Sequence, residues 1–372
     1  MIDLEVVKAI SPADARSATR VLIVNVTRIG DTLLATPAIR AIAAFFPNAK
    51  IDCLGHPKRV EVLRHLPYVA TIGSITKNTA PYRGRLGFLS GLRYDFAFVW
   101  GNDWALHQYA LRTSRHVVAF RQQDEAVNRR LFADIAEPRP NSRHAVAWHL
   151  ALPLSVGIPA AGLSLDYVAT EQECDQARQR LRADFGSVRT SLVGLQIASF
   201  PTKAYRDWPI GHFVKLAQRI IKIRPEARFV LFGSADDRSK TAVFANALPG
   251  YTRVYAGEFS LRQTAAMMHA LDLYIGVDTG PTHLYGALRK PMVAMYHPSL
   301  PSALYRPLEH PALYVVDHPA AGPDASKQLS MAELSVDTVW ERAAAALSGE
   351  SSRFPGMPAV GIDLPYWPGD PV

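Results

Sequence analysis

A chain of 372 residues has room for about two domains, at ~150 residues each. Its 48% hydrophobic and 20% charged content excludes a disordered or fibrous protein. Forty-one Lys and Arg against 33 Asp and Glu give a formal charge of +8, which points toward an anionic partner without choosing one, and just two isolated cysteines, Cys53 and Cys174, exclude a disulfide framework, a zinc knuckle or an iron–sulfur site.

The opening residues carry acids early and lack a long apolar core, so they do not read as a secretory signal. No run reaches the ~18 apolar residues that would span a bilayer. The expected location is the cytoplasm, with peripheral contact at the inner face of the cytoplasmic membrane open to it. In chain order, Val21–Val26 is a buried strand by composition, followed by a turn and a helix from about Asp31 to Phe46. Strands are then expected at Lys50–Leu54, Ala70–Ile75, Tyr94–Trp100 and His116–Phe120, with helical stretches between most of them. The same alternation restarts at Ser191–Ile197 and continues through Phe229–Gly233, Thr252–Ala256, Leu273–Val277 and Met292–Tyr296. Helices are expected near 209–223, 237–247, 260–270, 281–289 and 330–347. Strands separated by helices build parallel, doubly wound sheets. Two such series predict an α/β protein of two Rossmann-like domains facing each other across a cleft, residues 1–165 and 166–348, joined by the Gly157–Leu165 loop and the helix Glu171–Phe185 that follows it. Residues 349–372 read as a Pro/Gly-rich tail extended on the surface.

The positive charge is uneven. Residues 1–170 hold 20 basic and 13 acidic side chains, whereas the rest holds 21 and 20. A solvated basic face is one reading; a first domain that receives an anionic substrate is the other. Nucleic acid fits less well, because no known module appears and aromatics do not interleave with the basic residues.

Three segments fall where ligands of open α/β sheets bind, beyond the carboxyl ends of strands. The first, Thr27 to Pro37, offers Gly30 for a tight turn and Asp31 at a helix start, where an ordinary N-cap is the plain alternative. No GxGxxG accompanies it, which argues against a dinucleotide enzyme. In the second, Gly276 to Ala287, an apolar strand runs into Asp278-Thr279-Gly280-Pro281, and Pro281 suits a first helical position. A helix opening there aims amides and the positive dipole end at a phosphate, with Thr279 and Thr282 as hydroxyl donors and His283 in the first turn. A capped helix with a satisfied histidine is the alternative. The third, Ile197 to Pro209, places Lys203 and Arg206 in the turn after the second domain's first strand, where they would meet a diphosphate unless the loop is merely solvated.

Together the three segments resemble glycosyltransferase family 9, the ADP-heptose:lipopolysaccharide heptosyltransferases. The pattern Arg-x-Gly-Asp with a later Pro is matched by Arg28, Gly30, Asp31 and Pro37, Lys-x-Trp-Pro by Arg206 to Pro209, and Asp-[Ser/Thr]-Gly-x-x-His-Leu by Asp278 to Leu284. The resemblance runs in order over about residues 20–347. It implies a GT-B fold, an acceptor held by the first domain and a nucleotide-sugar held by the second. It further implies Asp31 as general base, with Arg28, Gly30, Lys58 and Arg59 on the acceptor side. Ser199, Lys203, Arg206, Thr279, Gly280 and Pro281 would meet the diphosphate, and Asp278 and His283 would belong to the donor site. Phe259 would lie near the adenine, and Gly233, Ser234 and Asp236 near the ribose.

Arg206 replaces the family's usual Lys, and Lys203 adds a second cation nearby; a planar guanidinium and a point charge are not equivalent. The absence of any Asp-x-Asp makes a diphosphate-bridging metal unexpected, and no cofactor is called for. The expected partners are a nucleotide-sugar and an anionic glycolipid acceptor such as a lipopolysaccharide core. Two competitors remain at this stage, a nucleotide-sugar 2-epimerase of the same architecture and a non-catalytic nucleotide-sugar-binding protein.

Overall fold

The computed structural model describes residues 6–186, 191–322 and 324–363. These divide into two compact units: the chain up to Val168, rejoined by the segment from Val360, and Ala169–Ala359.

The first unit carries β1 (Arg20–Asn25), β2 (Lys50–Gly55), β3 (Thr71–Ser74), β4 (Tyr94–Val99), β5 (Ser114–Phe120) and β6 (Ala133–Ile135) in the order β3-β2-β1-β4-β5-β6. Every pairing is parallel. Both faces are covered, so β1 needs no polar alternation, and its residues from Val21 to Asn25 are all buried. One face packs Leu22, Val24, Ala97 and Val99 against Leu106, Tyr109 and Ala110.

The second unit repeats the plan with β7 (Ser191–Gln196), β8 (Ala227–Leu231), β9 (Thr252–Val254), β10 (Leu273–Val277), β11 (Met292–Tyr296) and β12 (Leu313–Asp317), ordered β12-β11-β10-β7-β8-β9 and again parallel throughout. Its core gathers Trp208, Phe213, Phe229, Phe244, Ile275 and Val293. The order of each sheet reverses direction beside its first strand, between β1 and β4 and between β7 and β10. Loops at these switch points diverge to opposite sides of the sheet and leave a crevice at its carboxyl edge.

Several local expectations are corrected. The helix expected from Asp31 to Phe46 is two helices, Ile29–Leu34 and Thr36–Phe45, broken at Ala35. Pro37 has no N–H to offer Leu33, and the Thr36 hydroxyl bonds that carbonyl instead, at 2.6 Å. Ser330 opens only a short 3₁₀ turn, Met331–Glu333; the last helix is Val336–Ser348, capped by Ser335. The described part of the tail, by contrast, is exposed to half-buried without helix or strand, and hydrogen bonds hold it, the Phe354 carbonyl accepting the Val315 N–H at 3.0 Å, Met357 N–H reaching Ser302 Oγ at 3.0 Å, and the Val360 carbonyl accepting the His144 N–H at 2.7 Å. The rest of that tail lies outside the described residues.

Helix Glu171–Phe185 opens with a reciprocal capping box between Thr170 and Glu173. Glu173 also takes a bidentate pair of bonds from Arg262, each 2.6 Å, which hold its carboxyl down to about 2. A depressed carboxylate stabilises the fold fully above its unfolded pKa and loses that contribution as pH falls toward the folded value. Denaturant unfolding across this range is therefore expected to show a loss of stability from pH ~4.3 down to about 2, and Glu173→Gln should flatten it. An unchanged acid limb in the variant would show that the clip contributes nothing. Among the described residues, no helix is long and apolar enough to cross a membrane.

Candidate functional site

The segments after β7 and β10 meet at the switch point of the second sheet. Arg206 Nη1 donates to the Asp278 carbonyl at 3.3 Å and pairs with Asp278 Oδ2 at 3.2 Å. Asp278 is 4% exposed, so its carboxylate requires a cation, and Arg206 supplies it. His283 Nε2 comes within 3.2 Å of Asp278 Oδ1, but that oxygen and His283 Nδ1 both lack a properly aligned hydrogen-bond partner among the described residues. Two buried polar atoms left in this way at one turn are open to an additional group.

Helix Gly280–Ala287 begins at this turn, with Thr279 as N-cap and Pro281 in its first turn. Pro281 carries no N–H, so the amides available to an anion are those of Thr279 and Gly280, which have no acceptor among the described residues. Thr282 does not join them. Its hydroxyl is fully buried, donates to the Val277 carbonyl at 2.5 Å and meets Tyr274 Oη at 3.0 Å, which corrects the expectation of a ligand contact. Thr282→Val should lower stability by ~1–3 kcal/mol, because it orphans a buried carbonyl. Urea titration checks this, and an unaltered midpoint would deny Thr282 its structural role.

The 199–209 loop is organised by Asp207. Its Oδ1 accepts the Ser199 N–H at 2.7 Å and the Ser199 hydroxyl at 2.6 Å, and its Oδ2 pairs with Lys240 Nζ at 2.6 Å. Ser199 Oγ also lies 2.6 Å from the Lys203 carbonyl, so its single proton is engaged inside the loop. The Lys203 side chain is half-buried and has no carboxylate partner among the described residues. Trp208 anchors the loop through its indole N–H to the Leu334 carbonyl at 2.8 Å and its ring edge-on to Phe213.

Beyond β8, Asp237 draws in both the N–H and the hydroxyl of Ser234 at 2.8 Å, while Asp236 faces solvent. The Gly257 N–H donates to the Gly233 carbonyl at 2.9 Å, and a Cβ on Gly257, whose φ is +71°, would sit 2.8 Å from the Ala235 backbone. Only glycine allows so close an approach with that backbone. Phe259 is half-buried, its ring 5.0 Å from that of Tyr255 with the Arg180 guanidinium over it.

In the first unit, Asp31 occupies the third position of helix Ile29–Leu34, whose N-cap is Arg28, so it is not the cap of the plain alternative. Its Oδ2 accepts the Thr27 hydroxyl at 3.1 Å. Gly30 is buried inside helix rather than in the expected tight turn. From the loop after β2, Arg59 Nη1 donates to the Thr27 carbonyl at 3.0 Å. Arg28 and Lys58 are exposed.

The model of glycosyltransferase family 9 (heptosyltransferase) matches residues 90–334, more than half of the chain and all of the second-unit site. The chain belongs to glycosyltransferase family 9. It is therefore a glycosyltransferase, and its two doubly wound units are those of a GT-B fold. It is 27% identical over 315 residues to the lipopolysaccharide heptosyltransferase 2 of Salmonella typhimurium, covering 79% of this chain and 86% of that protein. Among solved structures, a family 9 glycosyltransferase from Veillonella parvula superposes with a TM-score of 0.78 at 18% identity, over 91% of this chain and 99% of that one. The ADP-heptose lipopolysaccharide heptosyltransferase II of E. coli does so with a TM-score of 0.74 at 22% identity, over 89% and 99%.

Within this family 9 chain, the sequence reading missed Asp207, Asp237, Lys240 and Thr27, whose work is to hold the expected site residues in place. Asp207 lies inside the Arg-Asp-Trp-Pro segment and was within reach of a motif reading, whereas Lys240 is far from Asp207 along the chain and carried no signal. Lys240→Ala should raise the donor KM several-fold at little cost to kcat, because it loosens the loop but leaves the groups expected at the reacting atoms in place. Steady-state kinetics distinguishes this from a loss confined to kcat, which would contradict it.

Proposed function

We propose that this protein is an inverting, metal-independent heptosyltransferase that takes heptose from ADP-heptose and adds it to a lipopolysaccharide-core or related anionic acceptor. The observation that carries the reading is the Arg206–Asp278 bridge, which joins the two donor motifs of the family into one cation-and-amide turn. Lys203, Arg206 and the Thr279 and Gly280 amides meet the negative charge that grows on the departing diphosphate; preorganised groups of this kind supply a large share of rate enhancement. Asp278 and His283 position the donor, Gly233, Ser234 and Asp236 line the ribose side, and the Phe259 ring offers an apolar face to the base. Because Ser199 commits its proton to the loop, it acts on the phosphate by holding that loop in shape.

On the first unit, Asp31 takes the proton of the attacking acceptor hydroxyl as that oxygen approaches the anomeric carbon from the face opposite the diphosphate. One C–O bond forms, the bond to the diphosphate breaks, and the configuration inverts. Arg28, Gly30, Lys58 and Arg59 form the acceptor side, suited to phosphate or acidic-sugar groups. Work on such an acceptor places the enzyme at the inner face of the cytoplasmic membrane.

A calorimetric panel of ADP, UDP, GDP and their sugars tests the donor, with ADP and ADP-heptose expected to bind best. Preference for UDP would overturn that assignment. The donor incubated without acceptor is expected to persist, whereas its turnover would indicate epimerase chemistry. Transfer is expected to survive EDTA, because the charges offered to the diphosphate belong to side chains and amides; loss of activity restored by a divalent cation would contradict metal independence.

A further inference from the structure

Helix Ala80–Leu89 of the first unit is built inside out. Its buried residues are Ala80, Gly84 and Gly87, spaced i, i+4 and i+7 on one face. That face lies against helix Trp104–Thr113: a Cβ on Gly84 would sit 3.4 Å from Tyr109 Cα, and one on Gly87 would sit 2.9 Å from Thr113 Cγ2. The opposite face repeats the spacing with Tyr82, Leu86 and Leu89, which are 67%, 47% and 79% exposed, while Phe88, 54% exposed, lies on the flank about 100° round the helix from Leu89. Glycine weakens a helix, and a helix that needs only its own unit for burial turns its large apolar side chains inward. Here Tyr82, Leu86 and Leu89 point to solvent as one stripe, which marks an interaction surface.

The charge around the stripe selects the partner. At 100° per residue, Arg83 and Arg85 fall on either side of it. Arg93 lies over the Phe88 ring, 4.8 Å from its centroid, and Lys77 precedes the helix. From Glu61 to Asp95 the chain contains no other acidic residue. Arg85 has no acidic partner among the described residues, while Arg83 is held by the Ser74 carbonyl and Arg93 by the Arg112 carbonyl, at 2.5 Å for the latter. An apolar stripe flanked by arginines, in a stretch of chain without acids, matches an interfacial helix: apolar side chains enter the acyl boundary while the cations meet anionic headgroups.

We propose that helix Ala80–Leu89 docks this protein onto an anionic lipid bilayer through Tyr82, Leu86 and Leu89, with Phe88 on its flank and Arg83, Arg85 and Arg93 at headgroup level. The docking face deepens the reading of a lipid-borne acceptor, yet its test is independent of the transfer reaction. In vesicle co-sedimentation, the protein is expected to pellet with an equimolar mixture of phosphatidylglycerol and phosphatidylcholine at least ~10-fold better than with phosphatidylcholine alone, and ~1 M salt should weaken this. Leu86→Ser with Leu89→Ser, and separately Arg85→Glu, should each reduce partition ~10-fold or more while ADP-dependent thermal stabilisation stays that of the wild type. Arg85→Glu changes one exposed side chain and so tests the surface even if the double variant folds poorly. Equal pelleting with both vesicles, partition unchanged in Arg85→Glu, or self-association through this face in place of vesicle binding would each overturn the proposal. Failure of ADP binding with vesicle binding intact would count against the donor reading alone.

Discussion

Asp31→Ala is expected to slow sugar transfer by ~10²–10⁴-fold, the usual contribution of a general base, while ADP binds as before. The carboxylate is half-exposed at the third position of a six-residue helix and meets only the Thr27 hydroxyl among its described hydrogen-bond partners, so truncation costs the fold little. Asp31→Asn keeps that contact and the volume but removes the basic oxygen pair; its rate should fall nearly as far. The defect belongs in kcat, with donor KM nearly unchanged, because the proton moves only as the new bond forms. An alanine variant that retains most of its activity would remove Asp31 from the base role, and a matching loss of ADP affinity would relocate it to donor binding.

Arg206→Ala is expected to damage both donor affinity and the fold. Asp278 is almost fully buried and Arg206 is the cation hydrogen-bonded to it; deleting one member of such a pair leaves an uncompensated charge and costs ~3–5 kcal/mol. Arg206→Lys should restore part of the affinity but not the two-point contact with the Asp278 carbonyl and carboxylate. The companion Lys203→Ala should weaken donor binding with no comparable loss of stability, since no carboxylate among the described residues depends on it. Calorimetry with ADP and urea titrations on the three variants separate these roles. Equal stability of Arg206→Ala and wild type would show that the bridge is ornamental, and unchanged ADP affinity in both alanine variants would turn the loop away from the diphosphate.

Much of the fold was readable because buried parallel strands are continuous apolar runs. Leu273–Val277 and Met292–Tyr296 fall at the expected residues, and helix Glu171–Phe185 does as well. Ala133–Ile135 escaped because three residues give too little pattern, and Leu313–Asp317 because its apolar run is hemmed by prolines and histidine that look like loop. The split at Ala35 depends on one missing amide, and periodicity through Pro37 hides it. At the turn proposed for the donor, sequence identified the chemical groups but not their engagement. Thr282 looks like a ligand hydroxyl until it is seen donating to the Val277 carbonyl, and Arg206 looks like a free cation until Asp278 is found beneath it. Side-chain direction is decided by tertiary neighbours, and Lys240 is one that no local motif contains.

The Lys240–Asp207 bond has a consequence for recognition at a distance. Residues 233–240 carry, within a few positions, the turn proposed for the ribose and the ammonium that braces the loop proposed for the diphosphate. In the donor site proposed above, strain introduced at either end would pass through one ion pair, so the nucleoside and its phosphates would be read as a single yoked shape. Fragments such as adenosine and pyrophosphate would then bind together more weakly than the intact nucleotide by more than the entropy of tethering accounts for.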